Sequence, residues 1–316
     1  EPIEYSKEER EIQYQEYLKS MNRMESYDEF KGKVYANLVA YKEENITREC
    51  GHYKGVEYRE FLPESYWENE LPSMLYPGII ATVSDIQKSI YKYKPHIFAN
   101  KHVASSQTAC VNLFVPILES PEVDQILMSL EACPKDFKHV AKDQLYHGYR
   151  FEFWDSVDEK SKGLLGDHSK QAGTDSDVAI AYYNTKDELC LWLIEHKLTE
   201  QEFTTCGAYK SKGNNEEGKD HCRKCSIVEI LDKPNLCYYH RVSKYNYWNI
   251  MRDGAANFFS GAFDGKGCPF RGGMNQLWRN QLLAMALEKS GAYRSVSFSV
   301  VHHPDNHFLD SSMKEF

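Results

Sequence analysis

The sequence predicts an α/β layered fold, and three observations carry that expectation. Residues 177–183 and 189–194 are apolar runs separated by Asn184-Thr185-Lys186-Asp187-Glu188, a polar, turn-like stretch that reads as the bend of a β-hairpin. Gly272-Gly273 precede residues 274–289, where Leu277, Trp278, Leu282, Leu283, Ala286 and Leu287 follow helical spacing and Gly291 ends the run. Val296, Phe298 and Val300 then alternate with Ser295, Ser297 and Ser299, which is strand periodicity. Helix, strand, hairpin, helix and strand in that order make a layered core.

The elements follow along the chain. Residues 1–45 are charged and tyrosine-rich, with Ile12, Tyr14, Tyr17, Leu18, Met21 and Met24 spaced for a helix with one modest apolar face. Pro63, Pro72 and Pro77 break residues 46–100 into loops and short elements. A helical and irregular region, 1–99, is thus expected to pack on a core formed by 100–316. Residues 104–115 read as a buried helix with small and polar residues on one flank. Tyr149, Phe151 and Phe153 alternate as a strand within 145–154, and the Gly- and Lys-containing stretch 160–170 is a loop. In the hairpin, Val178, Ile180 and Tyr182 face away from Ala179, Ala181 and Tyr183. Cys190, Trp192 and Ile194 likewise face away from Leu189, Leu191 and Leu193. Neither face is polar, so both should be covered.

Composition bounds the function. The chain has 316 residues, 41% of them hydrophobic and 13% aromatic, enough for a substantial core. No apolar run approaches bilayer length and the chain opens Glu-Pro-Ile-Glu-Tyr without a hydrophobic leader, so a soluble, cytoplasmic protein with no membrane partner is expected. Its first residue is not Met, which leaves a processed start open. A formal charge of −9 argues against a basic coat for indiscriminate nucleic-acid binding but leaves room for a local basic groove. Nine cysteines, some in apolar runs (Cys110, Cys190), point to reduced thiols with a metal-binding subset rather than a disulfide framework.

The hairpin also carries charge. A turn centred on Lys186 sets Asp177 opposite Glu195 and Asp175 opposite Lys197. Alternation then places Glu195 and Lys197 on the face of Asp177. Carboxylates at the end of a buried strand pair need compensation. A divalent cation supplies it; so does Lys197 alone, as a plain ion-pair cluster. Asp175 competes with Asp177 for the leading role, and Asp177 is favoured because it opposes Glu195.

Cys206, Cys222, Cys225 and Cys237 occupy a polar stretch, 206–239, after the hairpin, and Cys222-Arg223-Lys224-Cys225 is a C-x2-C pair. Thiolates so spaced suit Zn²⁺ or a 4Fe–4S cluster. The segment 210–219 is too polar to make its own core, so a metal staple would explain its folding. His221 and His240 are substitute ligands. An exposed loop with incidental thiols is the plain alternative; a redox Cys-X-X-Cys pair fits less well, because such pairs open a helix after a strand. The site reads as structural.

Asp177…Glu195-His196-Lys197 resembles the D…(D/E)-x-K signature of the PD-(D/E)XK nuclease superfamily, and the element order resembles its restriction-endonuclease-like α-β-β-β-α-β core. Ser105-Ser106-Gln107…Cys110…Asn112-Leu113-Phe114, Gly173-Thr174…Asp177 and Gln276-Leu277…Arg279-Asn280-Gln281-Leu282-Leu283-Ala284 are similar to a group of bacterial restriction endonucleases. The resemblance spans residues 100–305. The cysteine insert departs from that group. It is similar to the cluster-bearing nucleases of recombination and CRISPR adaptation, which place cysteines on both sides of the core.

The resemblance implies a metal-dependent phosphodiester hydrolase, with DNA favoured over RNA and a place in restriction or phage defence. Asp177 and Glu195 would bind Mg²⁺ or Mn²⁺, joined by the backbone carbonyl of His196, while Lys197 would orient water or stabilise the phosphate. Gln107, Gln276, Arg279 and Asn280 are candidate substrate-binding residues; a helix-to-loop bond for Gln107, and bracing of the hairpin for the other three, stand beside that reading. Tyr245, Tyr247 and Trp248 suit either base stacking or core packing. His302, His303 and His307 fit surface or loop positions. The rival function is a catalytically silent nuclease-fold subunit for nucleic-acid binding or assembly, with a structural metal site; a metal-cluster redox protein is a third. A homo-oligomer is left open.

Overall fold

The computed structural model describes residues 6, 8–9, 11–12, 15–16, 19, 29–67, 74–91, 100–156, 158, 160–169, 173–254 and 267–316. Of the amphipathic N-terminal pattern only Ile12 falls among these; Tyr14, Tyr17, Leu18, Met21 and Met24 lie outside them. The chain forms two compact units: Glu1–Ile126 with His196–Thr199 and His302–Asn306, and Leu127–Glu195 with Glu200–Val301 and His307–Phe316.

The first unit is mainly helical. Helix α1 (Glu29–Asn45) is followed by a small hairpin, β1 (Gly51–Tyr53) and β2 (Val56–Tyr58), then α2 (Glu64–Trp67), α3 (Ile80–Ile90) and α4 (Ser106–Leu118). Pro77 sits in the 3₁₀ turn ahead of α3, where a proline lacks no needed donor, so the helix forms despite it. The buried helix expected over 104–115 starts at Ser106 instead, because the Ser105 hydroxyl accepts from Thr108 N at 3.2 Å and caps it. Tyr35, Ala36, Val39, Leu62, Met74 and Val103 form a core here. His102 lies edge-on to Tyr35 and Phe61, and its Nδ1 accepts from Ala104 N at 3.0 Å. Burial, with Lys31 adding to it, lowers its pKa to about 4.

The second unit is built on a mixed sheet. After α5 (Val123–Met128) come β3 (Phe137–Val140), β4 (Tyr149–Phe153), β5 (Ser176–Asn184), β6 (Leu189–Lys197) and, much later, β7 (Val296–His302). The order is β3-β5-β6-β7, and β4 also pairs with β5. Both β3 and β4 run antiparallel to β5, the first along Tyr182–Asn184 and the second along Ser176–Ile180. Strand β3 is absent from the sequence expectation: four residues, Phe-Lys-His-Val, are too short to display a period. The backbone bonds Arg294 N→Leu189 O and Leu191 N→Ser295 O advance in the same sense along both chains, which makes β7 a parallel neighbour of β6.

The central hairpin keeps the expected register. Val178 pairs with Ile194 and Tyr183 with Leu189, centring the turn on Lys186. Asn184 sets the turn: its Oδ1 accepts from Lys186 N at 3.0 Å and Glu188 N at 2.9 Å. Both strands are buried almost throughout. Ala179, Ala181, Leu191 and Leu193 pack into one core with α10 (Asn275–Ser290), through Leu277, Trp278, Leu282 and Leu283. Gly291, at φ 78°, ends α10 in the left-handed conformation that a β-carbon disfavours.

The cysteine-rich stretch is a helical layer rather than an exposed loop: α6 (Gly207–Lys210), α7 (Glu216–Lys224), α8 (Ile227–Asp232) and α9 (Tyr247–Gly254). Asn215 caps α7, and Ser226 with Glu229 forms a capping box on α8. Ala208, Ile227, Ile230, Trp248 and Met251 join the core under the sheet. The final helix is α11 (Asp310–Glu315). Among the described residues no helix is long and apolar enough to cross a membrane.

Candidate active site

Continuing the hairpin register one step beyond Val178 and Ile194 sets Asp177 across from Glu195. Alternation places both on the face packed against α10. Glu195 is fully buried, and its Oε2 accepts from Asn280 Nδ2 at 2.7 Å. Asn280 is equally buried, and its own Oδ1 has no hydrogen-bond partner. The register thus directs two carboxylates to one face of the hairpin, where the buried Asn280 Oδ1 also lies without a hydrogen-bond partner. This oxygen-rich donor set fits a hard divalent cation.

The approach to β5 is held separately. Asp167, buried, accepts from the Thr174 hydroxyl and from Tyr247 Oη at 2.6 Å. Burial pushes the Tyr247 phenol well above its ordinary pKa, which keeps it a donor. Arg279 Nε donates to Thr174 Oγ1 at 2.8 Å, its Nη2 donates to the Gly173 carbonyl, and the guanidinium lies 3.6 Å from Asp167. Asp175, the rival to Asp177, is 2.8 Å from His168 Nε2, and that imidazole stacks on Trp154 with centroids 3.5 Å apart. A β-carbon on Gly173 would come within 2.4 Å of the same ring, so glycine is required there. Asp175 therefore belongs to a bracing cluster with His168 and Trp154.

The remaining expected site residues fall as follows. His196 and Lys197 are buried at the end of β6, with Lys197 two residues beyond Glu195 on the same strand. The His196 carbonyl accepts from Ser106 Oγ at 3.2 Å. Gln107 Oε1 accepts from Asn100 Nδ2 at 2.7 Å, a helix-to-loop bond. Gln276 opens α10 with its backbone N donating to the Phe203 carbonyl at 2.7 Å. Arg279 and Asn280 both reach toward the hairpin from α10, one to its approach and one to its carboxylate.

Three of the four expected cysteine ligands, Cys206, Cys222 and Cys237, line a single cavity, and the fourth lining cysteine is Cys268. Cys225 packs against the same core but does not line the cavity. All nine cysteines are free thiols. Burial pushes the Cys222 thiol up to about 12 and Cys268 well above its usual value, with the neighbouring thiols adding to both. Among the described residues no group of three or more His, Cys, Asp or Glu side chains is placed so that it could hold a metal ion.

Comparison with curated proteins and with solved structures gave no match. A family model does match, over residues 12–316, and its description is "Restriction Endonuclease associating with ARP". With nearly its whole length covered, the chain belongs to that restriction-endonuclease-like family.

Proposed function

We propose that this protein is a divalent-metal-dependent nuclease that hydrolyses phosphodiester bonds, in DNA rather than RNA, through Asp177, Glu195 and Lys197. What supports the reading is the hairpin register, whose paired residues run to Val178 and Ile194, one step short of Asp177 and Glu195, together with the Asn280 hydrogen bond on the Glu195 carboxylate. Membership of a restriction-endonuclease family makes a nucleic acid the natural substrate.

Asp177, Glu195 and the His196 carbonyl would hold Mg²⁺ or Mn²⁺. The cation supplies charge stabilisation at phosphorus and makes water nucleophilic near neutral pH. Asn280 orients Glu195, fixing one carboxylate oxygen with a neutral donor. Lys197 closes the same strand on the face of Glu195, and a cation there would steady the non-bridging oxygens of the phosphate. Burial of β6 excludes bulk water, which strengthens each of these interactions.

The test is cleavage of plasmid, single-stranded DNA and RNA with Mg²⁺ or Mn²⁺, comparing wild type with Lys197→Ala and Glu195→Gln. Metal-dependent cleavage by wild type, lost in both variants, is the expected result. Absence of cleavage on every substrate would instead mark a silent nuclease-fold subunit.

A further inference from the structure

We propose that Cys206, Cys222, Cys237 and Cys268 form a four-thiolate centre for a soft metal, either one Zn²⁺ or one 4Fe–4S cluster, and that Cys225 of the C-x2-C pair is not a ligand. This inference stands apart from the nuclease reading, since it rests on different residues and different chemistry.

Four cysteines from four separate segments line one cavity. Cys206 precedes α6, Cys222 lies near the end of α7, Cys237 follows a 3₁₀ turn at 234–236, and Cys268 stands just ahead of the 3₁₀ turn leading to α10. Cys206, Cys222 and Cys268 are buried, and Cys237 is partly so. None is in a disulfide. Thiols that converge without pairing fit the known use of thiolate metal staples.

Backbone packing brings Cys268 into the set. Cys268 N donates to the Cys222 carbonyl at 2.9 Å, and Cys206 N donates to the Phe270 carbonyl at 3.0 Å. Gly267 takes φ 81°, and a β-carbon there would lie 2.6 Å from the Cys222 and Arg223 carbonyls. The segment carrying Cys268 is thus pressed against the end of α7 in a way only glycine permits. The rest of the lining suits a dianionic thiolate centre: Tyr209, Tyr239, Tyr247 and Phe270 exclude water, and Arg271 supplies a positive charge. As the structure stands no three of these side chains share one metal position, so loading has to draw the four inward. The centre then clamps α6, α7 and the lead-in to α10, the helix whose Asn280 holds Glu195.

The experiment uses the full chain purified both aerobically and anaerobically, with zinc, iron and sulfide measured and native alkylation by N-ethylmaleimide mapped by mass spectrometry. About one zinc, or about four irons with visible absorbance that bleaches on reduction, is expected per chain; the two patterns distinguish the two metals. Cys206, Cys222, Cys237 and Cys268 should resist alkylation until a chelator or oxidant strips the metal, while Cys225 reacts from the start. Cys225→Ser should keep its metal, and Cys268→Ser should lose at least about tenfold in metal content. Metal-free protein from both preparations, equal metal loss in Cys225→Ser and Cys268→Ser, or alkylation of Cys268 as fast as Cys225 in the wild type overturns the proposal. The last readout needs no variant, so it decides even if Cys268→Ser does not fold.

Discussion

Asn280, in the middle of α10, donates to the Glu195 carboxylate near the end of β6 at 2.7 Å, and both side chains are fully buried. The helix therefore does more than cover the sheet. It fixes the direction of the carboxylate that stands across from Asp177. Isolated buried carboxylates are costly, and one amide donor compensates such a group only in part.

Removing that donor should therefore weaken metal use before it weakens the fold. In Asn280→Ala we expect the Mg²⁺ concentration for half-maximal cleavage to rise about 10- to 100-fold. Rates at saturating Mn²⁺ should recover most of the loss. A metal titration with unchanged midpoint and a uniformly lower rate would remove Asn280 from the positioning of Glu195.

Glu195→Gln and Asp177→Asn keep shape and remove charge. Each should lower cleavage by about 100-fold or more, with the thermal midpoint equal to or above that of the wild type, because a like-charged pair is relieved. Asp175→Asn, by contrast, should retain cleavage and lose stability, since Asp175 bonds His168. The comparison of cleavage rates and melting curves across the three variants separates the two aspartates.

Arg279 joins Thr174, Gly173 and Asp167. Arg279→Met leaves a buried carboxylate short of its cation and should destabilise the protein by about 3 kcal/mol in urea unfolding. Arg279→Lys should recover little, because an ammonium cannot reproduce the fork that reaches both Thr174 and Gly173. A loss under about 1 kcal/mol for the Met variant would class the contact with exposed ion pairs.

His102 sets an acid-side dependence in the first unit. Its pKa falls from 6.5 to about 4 in the folded chain, chiefly through burial. The unfolded chain therefore takes up the proton first: stability is intact above about pH 6.5 and is lost progressively as pH falls from there to about 4, by up to about 3 kcal/mol. His102→Phe should flatten this slope relative to wild type when unfolding free energies are measured across that range. Parallel slopes in the two proteins would contradict the assignment.

Much of the site's framework is readable from local chemistry. The hairpin register follows from Asn184 and the length of the turn, and α10 ends where Gly291 demands it. Alternation alone marks β7, but not the four-residue β3. The helices of the insert escape a periodicity reading because they are short, four, nine and six residues; Ser226 with Glu229, a capping box, and Asn215 are the signals available. Long-range choices are the illegible part. Nothing near Cys268 in sequence marks it as a neighbour of Cys222, and the C-x2-C spacing points to Cys225 instead. Likewise Gln276, Arg279 and Asn280 share part of one helix, and only packing decides that Asn280 reaches Glu195.

The turn at Asn184 constrains how this chain can drift in length. Adding or deleting one residue between the paired strands would rotate β6 by half a pleat, moving Glu195 away from α10 while Asp177 stayed put. Changes of one residue are therefore barred at 185–188, whereas the polar tract at 210–219 has no opposing strand to fall out of step with. Related chains should vary in size there first.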